Sequence, residues 1–452
     1  MPPRQSVSLE VPAFTDMCTE VDLAAAFRRL SPPSASLSRQ FATACEALNL
    51  QRKQAGVGLE PAGLVHVAHL RSVRTKLLSY YHQLTTPPIS TLPKARLGVT
   101  FVWRDARKIA KFEDKTGVLE IGNVAYNIAV ATASIAAETM KEQRGANAAK
   151  TLFEESACAF AEARAVMGAD EARLWRDPTK VNMELREEAL LAFEELMSAY
   201  AYRCYYDFLL DEGAEAETLA GGAHQAAVAY GRAAARMQKA IEARRGLETL
   251  FSEWCRATDV GRSFYLSQAR LHAADICARQ VRPTLQLAHL AGARALIDAV
   301  YAASNAAGAS GPMLKRAVPD LLHRATEIQG RVKALEREIR SNVHGAQQEV
   351  DPHDALLPPA NAPKPRARSF QDAFPRVAPL LFDGVVLEAG AARRAQADIT
   401  DSDSDNDATD PLALASAAPR QRGADGPRDR VAARPDDHPG RGGAARGAGM
   451  LG

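Results

Sequence analysis

The side chains in this sequence that could do chemistry are scattered rather than assembled. His66 and His69 stand at i, i+3, a spacing that turns two imidazoles toward one metal on a helix, yet no cysteine or carboxylate in the same turn completes a ligand set. Glu154-Glu155, Glu187-Glu188 and Glu194-Glu195 are adjacent in the chain, so each pair points to different parts of a helix surface. They are expected as solvated faces rather than as an acid/base couple. Asp401, Asp403, Asp405 and Asp407 imitate the start of a calcium loop, but Asn406 stands where the turn needs glycine and Leu412 where a bidentate glutamate belongs. Gly447, Gly449 and Gly452 spell a dinucleotide fingerprint with no strand before it. No Gly-x-Ser-x-Gly, Walker loop or His-Glu-x-x-His occurs. The expectation is therefore a non-enzymatic protein with no cofactor and no metal.

Two features of the sequence point to binding or regulation instead. Ser402 and Ser404 lie three residues before Asp405 and Asp407, the spacing an acid-seeking kinase recognises, and are candidate phosphorylation sites. Arg71, Arg74, Lys76, Lys94, Arg96, Arg104, Arg107, Lys108 and Lys111 are concentrated between residues 71 and 111. This strip is either ordinary helix solvation or, if the cations share a face, a surface for anionic lipid at about 1 kcal/mol per well-placed charge.

The elements that must position such groups are set by composition. Of 452 residues, 46% are apolar, 24% charged and only 6% aromatic, and alanine dominates the apolar set. This favours helices packed closely through small side chains over β-sandwiches. A net charge of +2 gives no bulk pull toward nucleic acid, and none is expected as a partner. Cys18, Cys45, Cys158, Cys204, Cys255 and Cys277 show no C-x-x-C spacing and read as reduced, mostly buried thiols. MPPRQSVSLEV lacks an apolar signal region, Ile121–Ala137 is uncharged but too poor in strongly apolar residues to span a bilayer, and GAGMLG carries no prenylatable cysteine. A cytoplasmic protein is expected.

Short β-capable runs are expected at Val7–Val11 and Val99–Trp103, and helix almost everywhere else to residue 358. Val124, Ile128, Ala131 and Ile135 form one stripe of a 3.6-residue period, and Phe153, Ala157 and Phe160 form another after Gly145, which predicts an antiparallel helical hairpin. A longer helix is predicted from near Pro178 to about Leu210, with others over 219–247, 262–280, 284–306 and 316–341. Ala149…Phe153 and Ala226…Tyr230 repeat a small-residue, aromatic step of tetratricopeptide type, pointing to a degenerate helical solenoid. The predicted organisation is a helical domain over 5–358 and a tail over 359–452. That tail, free of aromatics and lysine beyond Phe382, is expected to be disordered, acidic at first and then rich in Arg, Gly and Pro.

Leu97–Ala106 (LGVTFVWRDA), Glu120–Glu138 (EIGNVAYNIAVATASIAAE) and Ala148–Phe160 (AAKTLFEESACAF) resemble the BRO domain of Alix-type proteins, with Trp103, Glu120, Tyr126-Asn127 and Phe153…Phe160 in the motif places. The resemblance implies an all-α, boomerang-shaped helical solenoid with a tetratricopeptide-like core and a small N-terminal β element. It also implies a scaffold, peripheral at endosomes, whose groove holds the C-terminal amphipathic helix of a Snf-type ESCRT-III subunit. The groove-lining Phe, Ile and Leu of the family fall on Tyr205, Thr218 and Gly222 in an ungapped register. A small indel in the Gly213–Glu217 turn would instead bring Leu219 beside Tyr205 and Phe208. In the first register two aliphatic anchors are lost, a cost of about 3–5 kcal/mol or more than a hundredfold in affinity. An adaptor of the same type with altered peptide specificity, in signalling or protease scaffolding, is the alternative that these substitutions leave open, and an uncharacterised enzyme is the remote one.

Overall fold

In the computed structural model, the structure describes residues 11–17, 21–23, 25, 35–56, 66–87, 89–91, 99–107, 110–168, 181–307, 312–342, 356–360 and 368–375. Contacts divide the chain into Met1–Asp398 and Ile399–Gly452, and the second unit lies wholly outside the described residues, as do Ser402 and Ser404.

A small antiparallel sheet comes first, in the order β1 (Asp16–Met17), β2 (Phe101–Arg104), β3 (Lys111–Asp114). Met17 pairs with Trp103 and Phe101 with Asp114, which fixes the register. Of the strand expected at Val7–Val11, residues 7–10 lie outside the described residues and Val11 is in no strand; β1 is Asp16–Met17. β3 was not predicted, because Lys-Phe-Glu-Asp carries one apolar residue. It forms because Phe112 and Asp114 turn inward, and the Asp114 carboxylate accepts from Thr116 N and Leu119 N at 2.8 and 3.1 Å to start the next helix.

The helices are α1 (Ala35–Gly56), α2 (Val67–Thr85), α3 (Val118–Thr139), α4 (Ala146–Gly168), α5 (Glu187–Asp211), α6 (Ala216–Ala243), α7 (Glu248–Arg279), α8 (Pro283–Ala307), α9 (Pro312–Asn342) and the single turn α10 (Phe370–Ala373). From α2 to α9 each helix packs on its neighbour in sequence, the solenoid the alanine-rich composition predicts. The α3–α4 hairpin stands where expected. α5 begins at Glu187, after the 3-10 turn Met183–Leu185, rather than near Pro178, which lies outside the described residues. α7 begins at Glu248 rather than at 262.

Aromatic rings run across the stack where small residues admit them. Phe153 of α4 meets Tyr200 of α5 at 5.3 Å, Tyr200 meets Tyr230 of α6 at 6.1 Å, and Tyr230 stacks on Tyr265 of α7 at 5.5 Å. Both predicted small-aromatic steps thus feed one ladder, with Ala149 and Ala226 fully buried beside it. α3 is long and apolar enough to cross a membrane, but it is packed among α2, α4 and the sheet, with 89% of its most apolar stretch inside the protein. It is the core helix of this body.

The paired glutamates are not simply solvated, which corrects the sequence expectation. Glu155 meets Arg74 of α2 at 3.5 Å, Glu194 meets Arg164 of α4 at 3.3 Å and Glu195 meets Arg232 of α6 at 3.4 Å. Adjacent carboxylates point to different neighbours, so they tie α4 to α2, and α5 to α4 and α6, instead of facing water alone. The boundary expected at 358 also falls within packed chain: Leu357 lies on the core, and Phe370, Ala373 and Phe374 are buried against it.

Candidate partner groove

The motif residues of the first half are architectural. Glu120, fully buried at the start of α3, accepts from Arg52 Nε of α1 at 2.9 Å, Tyr80 Oη of α2 at 2.8 Å and Trp103 Nε1 of β2 at 2.6 Å. Its carboxylate thereby ties four elements together and neutralises a guanidinium that has no water to meet. Asn127 accepts from Thr15 N at 2.9 Å and donates to Thr15 O at 3.0 Å, while Tyr126 donates to Ala13 O at 3.1 Å. These bonds hold the entering strand across α3.

The groove candidates lie on α5 and α6, either side of the turn at 212–215. Tyr205 and Phe208 are half-buried on α5, and Leu219 is half-buried on α6; Phe208 and Leu219 pack on the core with one side and show the other. Thr218 is exposed. Gly222 is buried: a methyl group added there would lie 2.9 Å from Leu209 Cδ1, so this glycine is where α6 closes on α5 and presents no surface to a partner. Of the groove candidates, Tyr205, Phe208 and Leu219 are therefore the half-buried apolar side chains, while Thr218 and Gly222 supply no aliphatic anchor.

Behind this edge, α5 is held by buried polar contacts that sequence reading missed. Asp207 accepts from Arg324 of α9 at 3.1 Å. Tyr206 Oη lies 3.1 Å from Gln268 Oε1 and 2.9 Å from His272 Nε2 of α7. Burial, with Arg331 nearby, pushes the His272 imidazole down to about 4, so it is neutral in the fold. The partners come from helices more than sixty residues away, and no local pattern announces them. Around the edge stand further polar groups: the Tyr202 hydroxyl is hydrogen-bonded to Gln225 and Arg232 of α6. On α6 the chain's own segment 356–360 passes by, with His224 Nδ1 donating to Pro358 O at 2.8 Å.

The basic strip does not form one free face among the described residues. Arg74 pairs with Glu155, Arg104 lies 3.8 Å from Asp16, and Arg107 donates to Thr249 O. Arg71 is exposed on α2. Lys76 lines a cleft of about 300 Å³ between α1 and α2 with Gln51, Gln54, Ser79 and Gln83. Lys94, Arg96 and Lys108 lie outside the described residues. His66 precedes α2 and His69 sits in its first turn, both exposed, and no cluster of three metal-ligating side chains occurs among the described residues. The five described cysteines are free thiols.

Among curated proteins none matches the chain. Solved structures match its fold. ALIX in complex with the SIVmac239 PYKEVTEDL late domain aligns with a TM-score of 0.62 and 20% identity over 87% of this chain, which spans 54% of that one. The ALIX BRO1–CHMP4C complex aligns at 0.60 and 20% identity, covering 81% of this chain and 99% of the other. A Bro1 domain described for endosomal targeting aligns at 0.60 and 14% identity, covering 87% and 100%. The BRO1-like domain model matches residues 18–352, from the sheet through the last long helix, and the chain belongs to the BRO1-like domain family.

Proposed function

We propose that this protein is a non-catalytic adaptor that docks the amphipathic C-terminal helix of an ESCRT-III subunit on the α5–α6 edge, peripheral at endosomes, in endosomal sorting and membrane remodelling. The observation that carries this reading is the family match across the whole helical body together with Tyr205, Phe208 and Leu219 left half-exposed at that edge. A relative of the same fold is solved with CHMP4C, and the physical demand is the same: a few apolar anchors on a ridge that buries water-exposed rings. Pull-down and calorimetry with synthetic C-terminal helices of ESCRT-III subunits test it. Binding is expected, and Tyr205→Asp or Leu219→Asp should weaken it by at least about tenfold with the fold retained. Binding that survives both substitutions refutes the edge.

The burial of Gly222 and exposure of Thr218 favour a second reading, an adaptor of the same build whose peptide specificity has shifted away from ESCRT-III. Its mark is a folded wild-type chain that binds none of those helices. The membrane reading of the basic strip rests on exposed Arg71 and Lys111 and on cations outside the described residues. Liposome co-sedimentation indifferent to anionic lipid removes it.

A further inference from the structure

Beyond α9 the chain returns to the body, and the point of return is built with more care than a passive tail requires. Ser369 caps α10 in a closed box: its Oγ accepts from Asp372 N at 3.1 Å and donates to Asp372 Oδ2 at 2.7 Å, while Ser369 N reaches the same oxygen at 3.3 Å. The cap sets Phe370 and Phe374 on one side of the turn, only 6% and 3% exposed. Phe370 packs on Tyr81 of α2 at 4.8 Å and on Phe374 at 4.8 Å. Cys158 of α4 donates its thiol hydrogen to Arg368 O at 3.3 Å. Two rings and one cap hold this strap.

Ser369 and Arg368 are themselves exposed. Ser369 follows Lys364, Arg366 and Arg368, cations five, three and one residues before it, and Phe370 comes next. An acid-lined kinase cleft selects that run of cations before an exposed serine. We propose that Ser369 is a phosphoacceptor for a basophilic protein kinase and that its modification undocks the strap from α2 and α4.

In the transfer, Ser369 Oγ forms a bond to the γ-phosphorus of a nucleoside triphosphate, the bond to the β-phosphate oxygen breaks, the diphosphate leaves, and the hydroxyl proton passes to the kinase's base. The product removes the hydrogen that Ser369 gives to Asp372 and sets about −1.5 to −2 of charge beside that carboxylate. A helix of one turn has too few aligned peptides to offset such repulsion. The box opens, and the two rings lose the geometry that seats them.

The test uses the full chain, a kinase that selects arginine three residues before its serine, and ATP. Phosphopeptide mapping and the alkylation rate of Cys158, both read by mass spectrometry, are the measurements. Phosphate is expected on Ser369, absent in Ser369→Ala, and Cys158 should then react about tenfold faster, the fold-change that loss of a helix cap and its packing implies. A Phe370→Ala, Phe374→Ala chain should show the same increase without phosphate, and buried Cys204 should stay slow in every sample. The proposal is overturned by phosphate on Ser369 with Cys158 unchanged, or by failure of the native chain to take phosphate there, whether or not the double-alanine chain does.

Discussion

The α3 region around Glu120 and the α5–α6 edge around Tyr205 sit in one helical stack but are made by opposite rules. At Glu120 a charge is buried and every neighbour is dedicated to it: Arg52, Tyr80 and Trp103 converge on one carboxylate. At Tyr205, Phe208 and Leu219 apolar groups are left half in water, and the polar bonding lies behind them, on Asp207 and Tyr206. The first arrangement tolerates little change because removing one partner strands the others. The second tolerates much, because a half-exposed side chain contributes little to the fold. The motif residues of the family lie in the first region and the proposed partner edge in the second, so the architecture can be kept while that edge changes.

The largest effect that would break this contrast is at Glu120. Glu120→Ala leaves Arg52 buried beside three lost bonds and should cost about 3–5 kcal/mol in chemical denaturation. A loss below about 1 kcal/mol would mean that the motif region is as forgiving as the edge. Acid should separate the regions next. The motif stretch 97–160 holds no histidine, whereas His272 backs the edge with its imidazole held near 4 against an ordinary 6.5. The unfolded chain takes up that proton first, so the stability from neutral His272 is full above about pH 6.5 and is lost as pH falls toward 4, about 3 kcal/mol in all. Protection factors in α5 and α7 should fall over that window, and His272→Gln should remove this component of the slope. The smallest effect on stability is expected from Thr218→Leu. On an exposed site it should change unfolding by less than about 0.5 kcal/mol. By restoring an aliphatic anchor it should nevertheless strengthen ESCRT-III helix binding about tenfold, and an unchanged Kd would show that the partner does not reach this turn.

What could be read in advance follows the range of the interactions. The α3–α4 hairpin was legible because its apolar stripes repeat every 3.6 residues within one helix, and the ladder's entry points because Ala149…Phe153 and Ala226…Tyr230 are local. β3 was not, since four mostly charged residues become a strand only by pairing with β2. Gly222 was legible as a gap in the expected groove but not as the close contact with Leu209 that fills it. The return of the chain at Phe370 and Phe374 is not legible, because composition averaged over a long segment hides two rings spaced for one turn.

By itself the sequence determined the helical class, the order of the main helices and the kinship of the motif stretch, because periodicity, small-residue packing and motif residues are properties of neighbours along the chain. Only the tertiary structure decided that Glu120 joins four elements, that the paired glutamates bind arginines of other helices, that Asp207 and Tyr206 meet α9 and α7, and that the chain doubles back onto α2 and α4. Those contacts join residues tens to hundreds of positions apart, and which of them form depends on how the whole stack closes rather than on any residue's neighbours.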